Sequence, residues 1–516
     1  MKKKPKRQFR RLRRPPASGR KPTVPLTTQE MDIIRSALTV YHRHFHSVFQ
    51  RREQRDWSLF YLCGQLSELE RKTVEAMVLA LIGPDVNAVR AGQQFIGQGE
   101  WDAQKLILQH QHEVARSLGD PAGIVIVDGS GIVKQGQDSA GVGHQYCGRV
   151  GKVANCQNGV FAAYLSPLGF TLVDVRLYLQ EEWFDDDHCE RWKKCGIPNE
   201  ITFRTEAQLA QDMLLGLIER GVLPFRWVVF DEHFGENTAL LDTIQAQNKW
   251  YFGEVPCTTR VWLRRPQVEP PGRGPLGRPR TRPRLAANAA PSREVRAVAA
   301  ALPVSAWKRR TIKEGSKGPM VAEFAFLRVV AARDQLPGPR VWLVVRRSLG
   351  PQPEFKYFLS NAPADCAPSD LVHLSGMRWP VETSLEEGKG EVGLDQYETR
   401  TWRGWYHHMA QSFIALHFLV LIQLKFKKTA GTDHRTGPRI GRPSASGGHP
   451  IAPRRSWHCG LSATAQSRSL SFPSKTDAGT PSQGIETQKR RSLVVMRSLV
   501  VADRQRIPDI FPTAHA

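Results

Sequence analysis

Gly123-Ile124-Val125-Ile126-Val127-Asp128 is a continuous apolar run that begins after a glycine and ends on an acid. A run of β-branched residues without polar alternation is typical of a strand that is buried on both faces of a sheet. Asp128 stands at the predicted carboxyl end of this strand. The run therefore predicts an α/β sheet that carries a carboxylate at its edge.

A second strand with the same ending follows further along the chain. The segment Phe225-Arg-Trp-Val-Val-Phe230 is apolar and ends on Asp231. Between the two acidic strands the sequence predicts two strands and a helix, at Gly159–Tyr164, Phe170–Tyr178 and Glu206–Arg220. Three strands, a helix and a further strand is the order of an RNase H-like core. If the first and fourth strands are neighbours, Asp128 and Asp231 project from the same edge of the sheet.

A third carboxylate stands in Arg378-Trp-Pro-Val-Glu382-Thr-Ser-Leu-Glu-Glu-Gly-Lys389, with an arginine four residues before it and a lysine seven after it. Proline suits a first helical turn, so we expect the helix to begin near Pro380 with Arg378 just outside it. Helical spacing then places Glu382, Glu386 and Lys389 on one face. Glu386 is an alternative third ligand, and we favour Glu382 for its spacing to both basic residues.

Carboxylates from separate elements suit phosphodiester chemistry. Two divalent cations activate the attacking water or hydroxyl and stabilise the leaving oxygen. Hard oxygen ligands fit Mg²⁺ or Mn²⁺. We therefore expect two such ions at Asp128, Asp231 and Glu382, although an aspartate at a strand end commonly caps the next helix and a glutamate on a helix is commonly solvated.

Glu382 stands 151 positions after Asp231, which predicts an insertion at about 255–360. Arg264–Ser316 is rich in Pro, Arg and Ala and predicts a basic loop, while Met320–Val330 and Val341–Arg346 alternate as strands. The insertion is expected to be β-rich. Its Trp262 and Trp307 are candidates for stacking on a base flipped out of the duplex, or for core packing.

The remaining regions complete the predicted organisation. Residues 1–27 form a basic arm, and the apolar periodicity of 28–118 predicts a helical domain, with Ser67 and Glu70 matching a capping box between two short helices. We expect this domain to bind a DNA end, or only to pack as an all-helical domain. The catalytic domain is expected at 119–426. Residues 427–516 lose periodicity and predict a disordered tail, which a change of reading frame would also produce.

Composition points to a polyanionic partner. The 516 residues carry 73 Lys and Arg against 49 Asp and Glu, a net charge of +24.

The apolar run Phe413–Leu424 is shorter than the roughly 20 residues that span a bilayer, so we expect a core helix and no membrane partner. No signal peptide is evident, which indicates a cytoplasmic protein. The eight cysteines form no paired framework, and His188, Cys189 and Cys195 are their only local cluster.

Longer strings resemble the bacterial insertion-sequence transposases of the DDE class, of the type with a β-rich insertion and a YREK signature. The resemblance spans most of residues 40 to 425 and is carried by Tyr146-Cys-Gly-Arg-Val-Gly-Lys-Val-Ala-Asn-Cys-Gln157, Arg176-Leu-Tyr-Leu-Gln-Glu-Glu-Trp183, Asp231-Glu-His-Phe-Gly235 and Gly388-Lys-Gly-Glu-Val-Gly-Leu-Asp-Gln-Tyr397. It implies that Asp128, Asp231 and Glu382 bind the metal, while Arg378 and Lys389 contact phosphates of the transposon end. The signature's tyrosine is Ser375 here.

The function expected from this resemblance is cut-and-paste transposition. The partners are double-stranded DNA, as the inverted-repeat ends and the target, and a second protomer on the paired ends. Tyr397, Arg400 and Arg403, beyond Lys389, extend a basic and aromatic surface along the DNA backbone. Lys134 and Lys152 are candidates for phosphate contacts, or are solvated surface lysines. Two alternatives stay open: a decayed transposase that only binds DNA, and a structure-specific nuclease on the same core.

Overall fold

The computed structural model describes residues 28–148, 150–272, 280–315 and 318–429. The basic arm at 1–27 and nearly all of the tail at 427–516 lie outside these residues. The described chain begins with five helices. They are Thr28–Arg43 (α1), Arg52–Leu66 (α2), Val74–Leu81 (α3), Val86–Gly97 (α4) and Ala103–Leu118 (α5).

The predicted capping box at Ser67 is wrong. Ser67 ends α2, where its hydroxyl donates to the Gly64 carbonyl at 2.6 Å. The next helix begins only at Val74, after Thr73. In the segment between them Lys72 is buried, and its ammonium donates to the carbonyls of Gln65 and Ser67.

The central sheet is mixed. Its first strands are Ile124–Val133 (β1), Gly143–Cys147 (β2), Lys152–Ser166 (β3), Gly169–Tyr178 (β4), Trp227–Phe230 (β5) and Trp250–Val255 (β6). β3 lies antiparallel between β1 and β4, while β5 runs parallel to both β1 and β6. The strand order is therefore β4-β3-β1-β5-β6, with β2 on the far part of β3.

The predicted β-rich insertion extends this same sheet. Its strands are Arg260–Trp262 (β7), Val268–Glu269 (β8), Arg284–Leu285 (β9), Arg293–Glu294 (β10), Lys308–Gly315 (β11), Gly318–Arg333 (β12), Leu336–Arg347 (β13) and Phe355–Ser360 (β14). β14 pairs with β6, and the sheet continues through β13 and β12 to β7 and β10. The prediction of a basic loop over Arg264–Ser316 is corrected, because short strands and a helix occupy much of its described part.

The remaining helices cover the sheet and connect its strands. They are Cys189–Cys195 (α6), Glu206–Arg220 (α7), Glu232–Gly235 (α8), Thr238–Ala246 (α9), Val295–Ala300 (α10), Pro368–Leu374 (α11), Trp379–Glu391 (α12) and Trp402–Thr429 (α13). Helix α7 has the bounds that its periodicity predicts. Its ends follow local chemistry, since Thr205 and Gln208 form a capping box and Gly221 closes it with φ 61°.

Helix α13 joins the N-terminal helices to the sheet. It contacts α1, α2, α4 and α5 on one side and β4 on another. Trp402–Phe426 is long and apolar enough to cross a membrane, but 67% of its apolar window is buried inside the protein. This burial confirms the core helix predicted around Phe413–Leu424. Because α1–α5 share a core with α13, they are not a separately packed module.

Asp174 holds β4 against two helices. It is fully buried, accepts from Arg220 of α7 at 3.2 Å and pairs with Arg176, while Arg220 also donates to Gln111 of α5. A buried charge that loses its partner is strongly destabilising. The network therefore depends on the single carboxylate of Asp174.

We expect Asp174→Ala to lower the free energy of unfolding by about 3–5 kcal/mol, because Arg176 and Arg220 lose their shared partner. Chemical denaturation monitored by circular dichroism measures this loss. The control is Asp138→Ala, which breaks exposed ion pairs with Lys194 and Arg400 and is expected to cost about 1 kcal/mol or less. Equal effects of the two substitutions would contradict this role for Asp174.

Candidate active site

The pairing of β1 with β5 places Asp128 beside Asp231. The parallel register ends at Val127 opposite Phe230, so the next residue of each strand is an aspartate. Asp231 leaves the sheet and caps α8, accepting from the Phe234 backbone N–H at 3.4 Å. The sequence predicts Asp128 as the last residue of its strand, and this is wrong. β1 continues to Val133, where it is paired with β3. Asp128 lies where β1 loses its parallel neighbour.

Helix α12 supplies the third carboxylate. The helix begins at Trp379 with Pro380 in its first turn, which confirms the start that the sequence predicts. It contacts β1, β3 and β4 through a face that includes Val381, Ser384 and Leu385. Glu382 is half-exposed beside that face. Its charge acts on Asp128, whereas no such effect of the more exposed Glu386 is found among the described residues.

Asp128 shows that the acids share one electrostatic environment. Burial raises the pKa of Asp128 to about 7, and the neighbouring Asp231 and Glu382 add to the rise. Arg378 and a hydrogen bond from the Gly129 backbone N–H at 2.9 Å act in the opposite direction. A cation bound near these acids would stabilise the ionised form of the Asp128 carboxyl.

Arg378 lies between two of the acids. Its guanidinium is 2.8 Å from a Glu382 carboxylate oxygen and 4.0 Å from an Asp231 oxygen. The sequence interpretation assigned Arg378 to DNA phosphates. In this structure the same side chain pairs with Glu382 and approaches Asp231.

Two lysines approach the acids from different elements. Lys389 of α12 donates to the Ser130 hydroxyl at 2.7 Å, two residues beyond Asp128 on β1. Lys313 of β11 lies over the Trp379 ring at 5.0 Å, and the nearby Glu382 opposes the fall in its pKa that burial causes. Lys313 was missed from the sequence, because a lysine in an alternating strand gives no signal of its neighbours.

A small cavity opens beside Arg378. Its volume is about 140 Å³, and its lining includes Ser375, Arg346 and Lys356. Ser375 occupies the position where the signature has tyrosine, and its hydroxyl donates to the Val372 carbonyl at 2.6 Å. The backbone carbonyl of Ser375 accepts from Arg346 at 3.0 Å, so this loop is held by the insertion.

The other side chains predicted to bind DNA make their contacts with residues other than the three acids. Trp262 is only 3% exposed and donates from its indole to the Ala290 carbonyl, so its assignment to base stacking is corrected to core packing. Trp307 is half-buried, with the Arg347 guanidinium 4.0 Å over its ring. Arg400 and Arg403 are exposed and flank the start of α13.

Two further candidates from the sequence have structural contacts. Lys134 lies 3.4 Å over the Tyr397 ring and donates to the Tyr397 carbonyl. Tyr397 is buried and donates to Gln157 at 2.6 Å, so it is not part of the basic surface that was expected there. Lys152 is exposed at the start of β3.

The donor chemistry of the site fits a divalent cation, since three carboxylates are the hard oxygen ligands that Mg²⁺ and Mn²⁺ prefer. Among the described residues, however, no three His, Cys, Asp or Glu side chains converge closely enough to hold one ion. The Arg378 guanidinium lies beside two of these acids, in contact with Glu382 and near Asp231. Asp128, Asp231 and Glu382 are the residues that would hold the metal.

Clustered carboxylates at the edge of a mixed sheet fit the class of nuclease-type enzymes. The sequence profile of the family described as DDE superfamily endonuclease matches residues 44–319, more than half of the chain. The chain therefore belongs to the DDE superfamily endonucleases, and this family implies a DNA substrate. No curated protein matches the chain. The matched residues include Asp128 and Asp231 and end before Glu382.

Removing Arg378 is expected to favour metal binding. Two unit charges 4 Å apart interact by about 1–4 kcal/mol between water and a protein surface, so Arg378→Gln is expected to tighten Mn²⁺ binding without DNA roughly tenfold. Isothermal titration of Mn²⁺ into the protein measures the change. Arg400→Gln removes an exposed arginine elsewhere and is expected to leave the affinity unchanged. Unchanged or weaker binding by Arg378→Gln would contradict the neutralising role of Arg378.

Proposed function

We propose that this protein is a DNA transposase that binds the ends of its own mobile element, cleaves them in a metal-dependent reaction and joins the freed 3'-hydroxyl to target DNA. The observation that carries the proposal is the register of β1 and β5, which sets Asp128 beside Asp231. Glu382 reaches the same place from a helix 151 positions later, linked by Arg378. Such convergence from distant segments supports a functional site over a set of solvated acids.

The proposed core is RNase H-like. The strand order β4-β3-β1-β5-β6, with the first three strands antiparallel and the last two parallel to β1, supports this assignment. α7 provides the crossover that parallel strands require between β4 and β5. The acids then stand at the carboxyl ends of β5 and of the paired part of β1, where ligands bind in α/β sheets.

In the proposed reaction Asp128, Asp231 and Glu382 would hold two Mg²⁺ or Mn²⁺ ions. When bound, such ions supply an activated water or hydroxyl and relieve charge on the leaving oxygen. Lys389 remains positioned by Ser130 to contact a phosphate near Asp128. Arg378, once released from Glu382, is available to the phosphate of the element end. The charge of these side chains suits the anionic backbone.

Strand transfer distinguishes a transposase from a nuclease. The protein is incubated with Mg²⁺, duplexes carrying the DNA that flanks its gene and a supercoiled target plasmid. We expect cuts at one defined position near each end and covalent joining of those ends to the plasmid. We expect each complex with the joined DNA to contain two protomers, and native mass spectrometry measures this number.

The matched pair of variants is Glu382→Gln and Glu386→Gln, which lie one helical turn apart on α12. Loss of both reactions in Glu382→Gln, with activity retained in Glu386→Gln, supports the proposed ligand set. The reverse result would move the third ligand to Glu386. Cutting without joining would reduce the function to a nuclease, and end binding without cutting would leave a DNA-binding protein.

A further inference from the structure

The exposed face of α4 differs from its buried face in chemical character. Gly92, Phe95 and Ile96 are buried against the neighbouring helices. The outward face carries Val86, Asn87, Arg90, Gln93 and Gln94, all exposed. Arginine, asparagine and glutamine are the side chains that make paired hydrogen bonds to base edges in the major groove, and an apolar side chain suits the thymine methyl.

Helices α3 and α4 form a compact helix-turn-helix unit. Only Ile82–Asp85 separates them, and Gly83 adopts φ 115°, a conformation that other residues rarely take. Asp85 fixes the start of α4 by accepting from the backbone N–H groups of Asn87 and Ala88. A Cβ on Gly92 would lie 2.8 Å from Val74, so the two helices cross closely at this glycine.

The helix-turn-helix unit presents its polar face beside the loop Tyr397–Thr401. A groove of about 560 Å³ lies between α4 and Tyr397–Thr401 and is lined by Arg90, Gln94 and Arg400 among others. The loop is tied to the end of α4, since Thr401 donates to the Gly97 carbonyl at 3.0 Å and Arg403 donates to the Gln98 carbonyl at 3.2 Å.

Charge on this face is available to a ligand. Within the part of the chain that the structure describes, Arg90 makes no ion pair, and α4 itself carries no acidic residue. Among the described residues, Arg400 forms an ion pair with the exposed Asp138. Glu398, the acid of the loop, lies 3.9 Å from Arg71. The groove lining therefore carries Arg90 and Arg400 against Glu398, a net charge of +1, which favours an anionic partner.

We infer that α4 is the base-reading helix of this protein, inserted into the major groove of duplex DNA, with Arg400 and Arg403 on the adjacent phosphates. A major groove about 12 Å wide admits a helix, and second helices of such units commonly occupy it. The inference deepens the proposed function, on which it depends for the DNA substrate. It assigns sequence recognition to a surface distinct from the three acids.

The same loop couples recognition to the acidic helix. Residues 392–401, which include this loop, follow α12 directly, and the Gln396 side chain accepts from the Lys72 backbone N–H at 2.7 Å just before α3. Lys134, which follows β1, donates to the Tyr397 carbonyl. DNA bound along α4 is therefore held by elements that also contact the strand of Asp128, so reading a sequence fixes where cleavage falls.

The test selects bound sequences from a pool of randomised 30-base-pair duplexes, using the full chain in Ca²⁺ to prevent cutting. Wild type is expected to enrich a defined motif. The double variant Arg90→Ala with Gln94→Ala is expected to lose preference at two or three positions, with affinity for the wild-type motif reduced roughly 10- to 100-fold. The control is Gln104→Ala with Lys105→Ala, an exposed pair on α5 that is expected to enrich the wild-type motif.

Phosphate contacts give a different signature. Arg400→Ala is expected to keep the motif while weakening binding to all sequences, with the salt slope reduced by about one. An unchanged motif in the α4 double variant, or no motif for wild type, would overturn the inference. Asp128→Asn separates the two proposals: it is expected to keep the motif and lose cutting. If wild type enriches a motif read by α4 but never cuts in Mg²⁺, only the proposed catalysis fails.

Discussion

The Asp128→Asn and Asp231→Asn proteins are expected to lose metal-dependent DNA cleavage by at least about a thousandfold, because the metal contributes several kcal/mol to the transition state. Each substitution preserves size and removes one anionic ligand. The register of β1 and β5 puts the two side chains next to each other, so neither replaces the other. Cleavage of a labelled end duplex in Mg²⁺, followed over time, measures the rates.

Asp128→Asn is also expected to stabilise the metal-free protein at pH 8. The folded pKa of Asp128 is raised to about 7, above its ordinary value of 3.8, so its ionised form costs folding energy. That cost grows as the pH rises from about 4 to 7 and is complete above 7. Asp138→Asn, an exposed acid, serves as control for both readouts. Cleavage retained in Asp128→Asn, or lost together with folding, would contradict the assignment.

The second large effect is acid unfolding through buried histidines. His42, His110, His407, His408 and His417 lie between the N-terminal helices and α13 or β4 and make hydrogen bonds there. Burial lowers the pKa of all five, to about 4 for His110 and His407 and to about 3 for His42 and His408. Their neutral forms are therefore part of the folded state.

The direction in which stability changes with pH follows from proton linkage. Below pH 6.5 the unfolded chain binds protons that the folded protein excludes, so stability falls with pH at about 1.4 kcal/mol per unit for each histidine. Asp128 contributes in the opposite sense between about pH 4 and 7. From pH 7.5 to 5.5 five histidines together cost about 7 kcal/mol, which is comparable to the whole stability of a typical domain.

Urea unfolding at intervals between pH 7.5 and 5.5 measures this dependence. His408→Gln is expected to reduce the slope by one proton, although it lowers stability at pH 7.5 by removing the contacts with Tyr61 and Leu394. His112→Gln alters an exposed histidine on α5 and is expected to leave the slope unchanged. A wild-type slope below one proton would contradict the buried, neutral state of these side chains.

The local features of the site follow from the sequence. Apolar runs ending on Asp128 and Asp231 predict buried strands, and Pro380 predicts the start of α12, because these signals depend on neighbouring residues alone. The extension of β1 to Val133 is not predictable from the sequence. Gly129-Ser130-Gly131 lacks strand propensity, and its pairing with β3 holds it in the strand. Likewise, only the pairing of β14 with β6 shows that the insertion continues the sheet.

Long-range contacts account for what the sequence leaves out. The ion pair of Arg378 with Glu382 fits the helical spacing, but the approach of Arg378 to Asp231 depends on the packing of α12 against β1. Lys313 reaches the site through β11, a strand of the insertion. The buried histidines of α13 resemble surface residues in sequence and become core only because α1–α5 cover them.

The central claim is that Asp128, Asp231 and Glu382 bind metal together, and iron-directed cleavage of the protein itself tests it most directly. Fe²⁺ is bound in place of Mg²⁺, and ascorbate with peroxide then generates radicals that cut the backbone beside the ion. We predict three sets of fragments, ending near residues 128, 231 and 382, all suppressed by excess Mg²⁺ and lost in Asp231→Asn. Cuts near 128 and 231 without one near 382, or cuts that Mg²⁺ does not suppress, would contradict the account.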